Sequence, residues 1–313
     1  MDIVTLAGGV GAARFLEGLV QVVPPASITA IVNTGDDFVL HDLHISPDLD
    51  IVTCTLAGLI NPQQGWGLDG DSFACLEWLG RLGGPTWFQL GDRDLALHIR
   101  RTALLRAGQT LSQVTRQFRQ ALGVAVEILP MSNDPVPTLI VTPAGDIHFE
   151  NYLVERRCRD QVLGVRMVDV AAARPAPGVL EAIYQAQLVV LAPSNPVVSI
   201  GPILAVPGIR SALLETAAPV VGISPIIGGA AVKGPAVALM QAMGMEASAL
   251  GVAQAFADIL DVFLIDTVDA HLKPAIEALG LTVVVTNTIM RGAVEKADLA
   301  RAVVAWKISN QSM

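Results

Sequence analysis

The chain has 313 residues, of which 52% are apolar and only 16% charged, enough hydrophobic material for one large α/β domain or two small ones. Its net charge of −9 excludes a nucleic-acid partner, because binding a phosphate backbone needs a basic surface. Cys54, Cys75 and Cys158 lack CxxC spacing, no apolar run is long enough to span a bilayer, and the N-terminus has no basic-then-apolar signal, so we expect a soluble, cytoplasmic protein without a zinc site or membrane contact.

Ile3 to Ala7 is a short apolar, β-branched run of the kind that forms a buried parallel strand, and Arg14 to Val20 repeats apolar residues at helical spacing. Strand passes to helix through Gly8, Gly9 and Gly11. Their backbone freedom, exposed N–H groups and the helix start together favour a phosphate there. The turn lacks the Gly-Lys-Ser/Thr ending of a P-loop and is tighter than the dinucleotide fingerprint, so a glycine turn that merely joins strand to helix is the alternative.

Ile28 to Val32 reads as a second buried strand ending in Asn33-Thr-Gly-Asp-Asp37. Ligands of open α/β sheets gather beyond the carboxyl ends of strands, which puts Asn33, Thr34, Asp36 and Asp37 beside the glycine turn. Next comes His41-Asp-Leu-His-Ile-Ser-Pro-Asp-Leu-Asp50, then a helix over 51–59. Asp48 and Asp50 read either as charges capping that helix or as carboxylates holding Mg2+ beside a phosphate; His41 and His44 read as ligands or bases or, more commonly for loop histidines, as solvent-facing.

After a turn at Gly65–Asp71, helical spacing recurs over 72–82, 95–106 and 111–118, so an inserted helical subdomain of about 72–122 is expected over the crevice. Gly91-Asp92-Arg93-Asp94 packs three charges at a helix start. Asp92 is a cap or a further Mg2+ ligand, and His98 lies four residues beyond Asp94 on the same face. Strands are expected at 124–129 and 166–170, and 138–142 with 147–152 as a hairpin.

A helix over 180–187 leads to a buried strand at 188–191, whose end carries Ala192-Pro-Ser-Asn-Pro-Val-Val-Ser-Ile-Gly-Pro202 and so puts Ser194, Asn195, Ser199 and Gly201 on the crevice side. The strand at 220–223 repeats the arrangement, and Lys233 in the loop after it is a phosphate-binding charge or a solvated lysine. Helices and strands alternate to the C-terminal helix at 293–308. Alternation at both ends points to an α/β fold, a three-layer parallel sheet with an inserted mainly helical region and a β-hairpin, in a single domain over 1–313.

Taken together, Leu6-Ala-Gly-Gly-Val-Gly11, Asn33-Thr-Gly-Asp-Asp37, Ser46-Pro-Asp-Leu-Asp50, Leu90-Gly-Asp-Arg-Asp94, Leu129-Pro-Met-Ser-Asn-Asp-Pro135, Ala192-Pro-Ser-Asn-Pro196, Ser199-Ile-Gly-Pro202 and Ser224-Pro-Ile-Ile-Gly228 resemble the 2-phospho-L-lactate transferase family of coenzyme F-420 biosynthesis. The resemblance implies a Rossmann-like nucleotide-binding fold and a Mg2+-dependent transfer. A guanosine diphospho-linked three-carbon acid gives its phosphoacid to a hydroxyl of the deazaflavin FO (7,8-didemethyl-8-hydroxy-5-deazariboflavin), and GMP leaves. It also implies FO contacts at Asp50 and at the position of Gln89, where archaeal members have lysine. Val10 and Ala12 replace archaeal threonines in the glycine turn, so the chain looks like the bacterial branch, whose members can use a phosphoenolpyruvate-derived donor.

On this reading Gly8, Gly9, Gly11 and Asn33 hold phosphate, while Ser194, Asn195, Ser199 and Gly201 line the guanosine and diphosphate site. Asp48 or Asp50, with Asp37 and Asp92 as further candidates, holds Mg2+; Asp50 is alternatively the general base. A non-catalytic nucleotide-binding regulatory protein of the same fold is the competing expectation, and a homodimer is the expected assembly.

Overall fold

The computed structural model describes residues 1–231 and 234–310, so the expectation for Lys233 lies outside the described residues. Strand β1 (Ile3–Ala7) runs almost directly into α1 (Gly9–Leu19), and β2 (Ile28–Val32) pairs parallel with β1, Ile3 opposite Ile28. A small hairpin, β3 (Phe38–Leu40) with β4 (Leu43–Ile45), precedes α2 (Pro47–Leu56). Helices α3 (Ala74–Arg81), α4 (Asp92–Arg106) and α5 (Leu111–Ala121) follow, the last opened by a capping box of Thr110 and Gln113, and lead to β5 (Glu127–Pro130). Strands β6 (Thr138–Thr142), β7 (Gly145–His148) and β8 (Gly164–Met167) form a separate antiparallel sheet with β6 in the middle.

In the second half come α6 (Val179–Gln185), β9 (Leu188–Leu191), α7 (Gly201–Ala205), α8 (Ile209–Glu215) and β10 (Val220–Ile223). Two short strands, β11 (Ile226–Ile227) and β12 (Ala230–Ala231), precede α9 (Ala236–Ala242) and α10 (Ala249–Phe256). The chain closes with β13 (Val262–Asp266), α11 (Lys273–Glu277), β14 (Thr282–Thr286) and α12 (Ala293–Asn310).

Seven of these strands make one parallel sheet in the order β14-β13-β10-β9-β1-β2-β5. Strand residues alternate between two cores. Val4, Leu6, Val189 and Leu191 face the helices from α6 to α11, whereas Ile3, Ala7, Leu188 and Val190 face α1, α2 and α12. Both faces are covered, which is why the strands read as unbroken apolar runs. Among the described residues no single helix is long and apolar enough to cross a membrane.

Helix α1 begins at Gly9, so two of the three glycines belong to its first turn, as the sequence leads one to expect. Two local expectations are corrected. Helix α2 begins at Pro47 instead of 51, so Asp48 and Asp50 both lie in its first turn. The expected strand over 147–152 ends at His148, and Asn151–Glu155 winds into a π-helical turn. Phe149, Tyr152 and Leu153 all pack on one core, and that spacing suits a helical winding, since a strand would turn neighbouring side chains to opposite faces.

Candidate active site

Strand order reverses between β1 and β9, the position at which open α/β sheets bind ligands beyond the carboxyl ends of their strands. The loops leaving both strands meet there. A Cβ on Gly8 would lie 2.7 Å from Ser199 Cβ and 2.8 Å from Asp48 Oδ2; one on Gly11 would lie 2.2 Å from the Pro193 carbonyl oxygen. The glycines are therefore set by the close approach of the loop after β9 and the first turn of α2. Ser194 Oγ donates to the Gly8 carbonyl at 2.8 Å, tying the two loops together. Gly8, at the N-cap of α1, has no side chain to cap the helix, and the Gly9 N–H of its first turn bonds the Asp48 carboxylate, so Asp48 and any anion at this helix start share one site.

These segments wall a cavity of about 750 Å³, a size suited to small-molecule ligands. Gly8, Gly9, Gly11, Ser194, Asn195 and Ser199 give it a polar lining, and Ile60, Trp66, Leu68, Phe88, Phe149 and Leu153 an apolar one. Asp36, Asp48 and Glu150 line the cavity as well, all buried.

Asn33, fully buried, donates through Nδ2 to Asp48 Oδ2 at 2.9 Å and to the Val198 carbonyl at 3.2 Å, while its Oδ1 accepts the Gly35 N–H at 2.8 Å. Burial pushes Asp48 up to about 7, against the opposing bonds from Asn33 and the Gly9 N–H. Glu150 is pushed up to about 8 by burial and then by Asp48. Asp36 is raised by burial, then by Asp48 and Glu150, and its Oδ1 has no hydrogen-bond partner. Three crowded carboxylates are costly to ionise together unless a cation joins them.

The sign of the pH effect follows. Asp48 and Glu150 stay protonated in the folded protein above their ordinary values of 3.8 and 4.5, so between those values and about 7 and 8 the native state binds more protons than the unfolded chain. Metal-free stability is expected to fall as pH rises through this window and to level off above it. Melting temperatures from pH 5 to 9, with and without Mg2+, check this; stability that rises from pH 5 to 8 without metal overturns it.

Asp50, two residues along α2, faces a different environment. Arg101 Nη2 donates to Asp50 Oδ1 in a short ion pair. Arg101 is 2% exposed, and its guanidinium lies 5.5 Å from the Phe118 ring centroid. Its Nη1 donates to His98 Nδ1 at 3.1 Å, which leaves the ring proton on Nε2; burial pushes His98 down to about 4, so it is neutral. Asp94, pushed up to about 6 by burial and then by Asp50, completes this wall with Gln89.

The profile of the family described as 2-phospho-L-lactate transferase CofD matches residues 3–295. The chain belongs to this family. It is 48% identical over 318 residues to a phosphoenolpyruvate transferase of Streptomyces griseus, covering 96% of this chain and all of the relative. It is 45% identical over 299 residues to the 2-phospho-L-lactate transferase of Methanothermobacter thermautotrophicus, covering 96% of each. The crystal structure of Bacillus halodurans protein BH3568 superposes with a TM-score of 0.63 over 97% of this chain and 99% of that one, at 20% identity, a likeness of fold. The protein is thus a transferase of the kind that serves coenzyme F-420 biosynthesis.

In this CofD-family chain the cavity brings together Gly8, Gly9, Gly11, Asp48, Asp50, Gln89, Ser194, Asn195 and Ser199. It leaves out four other expected residues. Asn33 stands behind Asp48 as its hydrogen-bond donor. Gly201 begins α7 away from the cavity wall. Asp37 is turned to His44 Nε2 at 3.0 Å and Ser46 Oγ at 2.7 Å. Exposed Asp92 accepts from Ser72 Oγ and the Ala74 and Cys75 N–H groups, which holds it below the usual carboxylate range and fixes the start of α3.

Asn195 lines the wall, yet its Oδ1 is occupied by the Val197 and Val198 N–H groups. Sequence reading misses Arg101, Asp36 as a carboxylate of the cavity wall, and Glu150. Arg101 has a visible signal, three residues beyond His98 on the face that begins with Asp94. Glu150 has none, because it sits in a segment that reads as strand.

Proposed function

We propose that the protein transfers the phosphoacid group of a guanosine diphospho-linked three-carbon acid to a hydroxyl of FO. The hydroxyl oxygen attacks the phosphorus that carries the acid, the bond from that phosphorus to the GMP oxygen breaks, and GMP leaves. The observation that carries this reading is a single cavity in which the start of α1 lies beside Asp48, with Asp50 two residues further along α2. Such transfers depend on positioning and charge neutralisation, and both are available here.

The donor set fits Mg2+, which favours hard oxygens and is usually held by one or two carboxylates plus phosphate oxygens. Asp48, with Asp36 and Glu150 beside it, would hold the ion, and the unpartnered Asp36 Oδ1 is an oxygen still seeking a partner. Among the described residues no three His, Cys, Asp or Glu side chains are grouped so as to hold a metal by themselves. When bound, the ion would neutralise charge on the diphosphate. Asp50, its geometry fixed by Arg101, takes the proton of the attacking hydroxyl. The apolar side chains of the cavity wall, Trp66, Leu68 and Phe88 among them, accept the deazaflavin rings.

Relatives named phosphoenolpyruvate transferase, at 45–48% identity, favour an enolpyruvyl donor, against a relative at 45% named 2-phospho-L-lactate transferase. The test is mass spectrometry of the protein incubated with FO, Mg2+ and, in turn, the guanosine diphospho derivatives of phosphoenolpyruvate, 2-phospholactate and 3-phosphoglycerate. FO adduct and GMP in equal amounts are expected, fastest with the enolpyruvyl donor. Guanine-nucleotide binding without product from any donor would favour a nucleotide-binding regulator instead.

A further inference from the structure

Arg14 lies on α1 one turn beyond the glycines and lines the same cavity as Gly8, Gly9 and Asp48. Its obvious partner by helical spacing, Glu17, is already taken by Lys296. Among the described residues Arg14 makes no ion pair. The turn over 61–68 instead folds onto its guanidinium: Gly65, at φ +69°, stands where a Cβ would lie 2.7 Å from Arg14 Nη2. Trp66, Gly67 and Leu68 of that turn join the cavity wall.

Here is a half-buried cation with unspent donors in a cavity whose wall also carries Asp36, Asp48, Asp50, Asp94 and Glu150, an arrangement complementary to an anion that arrives with the ligand. The proposed donor brings two anionic groups. Its diphosphate already has the start of α1 and the glycine turn, whereas the carboxylate of its three-carbon acid has no counterpart among the groups assigned so far. Five residues separate Gly9 from Arg14, about 7.5 Å along the helix, and helical side chains lean back towards the N-terminus. That places the guanidinium within reach of a group one or two bonds beyond a phosphate held at the helix start.

We propose that Arg14 is the receptor for the carboxylate of the donor acid, and so determines specificity at the donor site; this rests on the transfer reading above. A planar guanidinium matches a carboxylate with two parallel hydrogen bonds, which lysine does not reproduce. Arg291, the other cation on the described cavity wall, is exposed and makes no such close approach.

The test compares wild type, Arg14→Gln and Arg14→Lys against guanosine diphospho-enolpyruvate, its carboxamide analogue and GDP, by calorimetry without FO and by turnover with FO and Mg2+. Arg14→Gln is expected to weaken the carboxylate donor by about 10- to 100-fold. GDP and the carboxamide should bind as they do to wild type, and Arg14→Lys should recover only part of the loss. Equal losses on all three ligands, or none on the carboxylate donor, would overturn the assignment. Should Arg14→Gln not fold, Arg14→Lys and the wild-type preference for carboxylate over carboxamide carry the test.

The two readings separate cleanly. Wild type that prefers the carboxylate donor in binding but releases no GMP overturns the transfer and leaves Arg14 as the receptor. Normal transfer in which Arg14→Gln matches wild type overturns Arg14 alone. Failure of every donor to bind wild type overturns both.

Discussion

Asp50→Asn is expected to lower transfer by about 10²- to 10⁴-fold, the usual contribution of a general base, while the protein stays folded. Asparagine keeps the shape and one oxygen, so Arg101 retains an acceptor and the first turn of α2 retains its packing; basicity is what disappears. The measurement is the rate of GMP release at saturating Mg2+, donor and FO, with circular dichroism to verify the fold. Turnover within about twofold of wild type would remove Asp50 from the chemistry, since losing a base cannot be that mild. A companion change, Asp48→Asn, should chiefly raise the Mg2+ concentration needed for half-maximal rate, because Asp48 stands beside the glycine turn and not against Arg101.

Arg101→Met should have the largest effect on stability. The side chain is 2% exposed and is shared by Asp50, His98 and the His44 carbonyl. Methionine fills most of the volume but leaves the Asp50 carboxylate without a counter-charge in a largely buried setting. Breaking one partner out of a buried ion pair costs about 3–5 kcal/mol, to be read from urea unfolding at pH 7. The double change Arg101→Met with Asp50→Asn should cost less than the sum of the two, because the stranded charge is then gone. A loss below about 1 kcal/mol for Arg101→Met would class the contact with surface pairs of little consequence.

Several residues show how far local pattern reaches. The glycines of the first turn are legible because the constraint on them is backbone geometry, and geometry of that kind leaves a composition signature. Asp48 and Asp50 are legible as a pair but not in their division of labour. One faces Asn33 and Gly8 and the other Arg101, partners that lie 15 and 51 residues away in sequence. Asp37 and Asp92 fit the motif equally well, and the structure places both outside the cavity lining, Asp37 against His44 and Ser46 with its Oδ1 unpartnered, and Asp92 at the start of α3. A carboxylate near a helix start looks the same in sequence whether it serves that helix, another helix or a ligand.

What the sequence determined by itself is the frame. Apolar runs of strand length alternating with helical periodicity specify a sheet buried on both faces, and the ordered motifs along the chain specify the family. What only the tertiary structure decided is which charged groups share one low-dielectric cavity: Asp36 and Glu150 beside Asp48, Arg101 behind Asp50, and Arg14 under the turn at Gly65. The physical reason is that periodicity and turn chemistry are local and repeat along the chain. A side chain's pairing and proton affinity depend instead on neighbours brought from anywhere in it by strand order, and that order reverses only once the sheet is assembled.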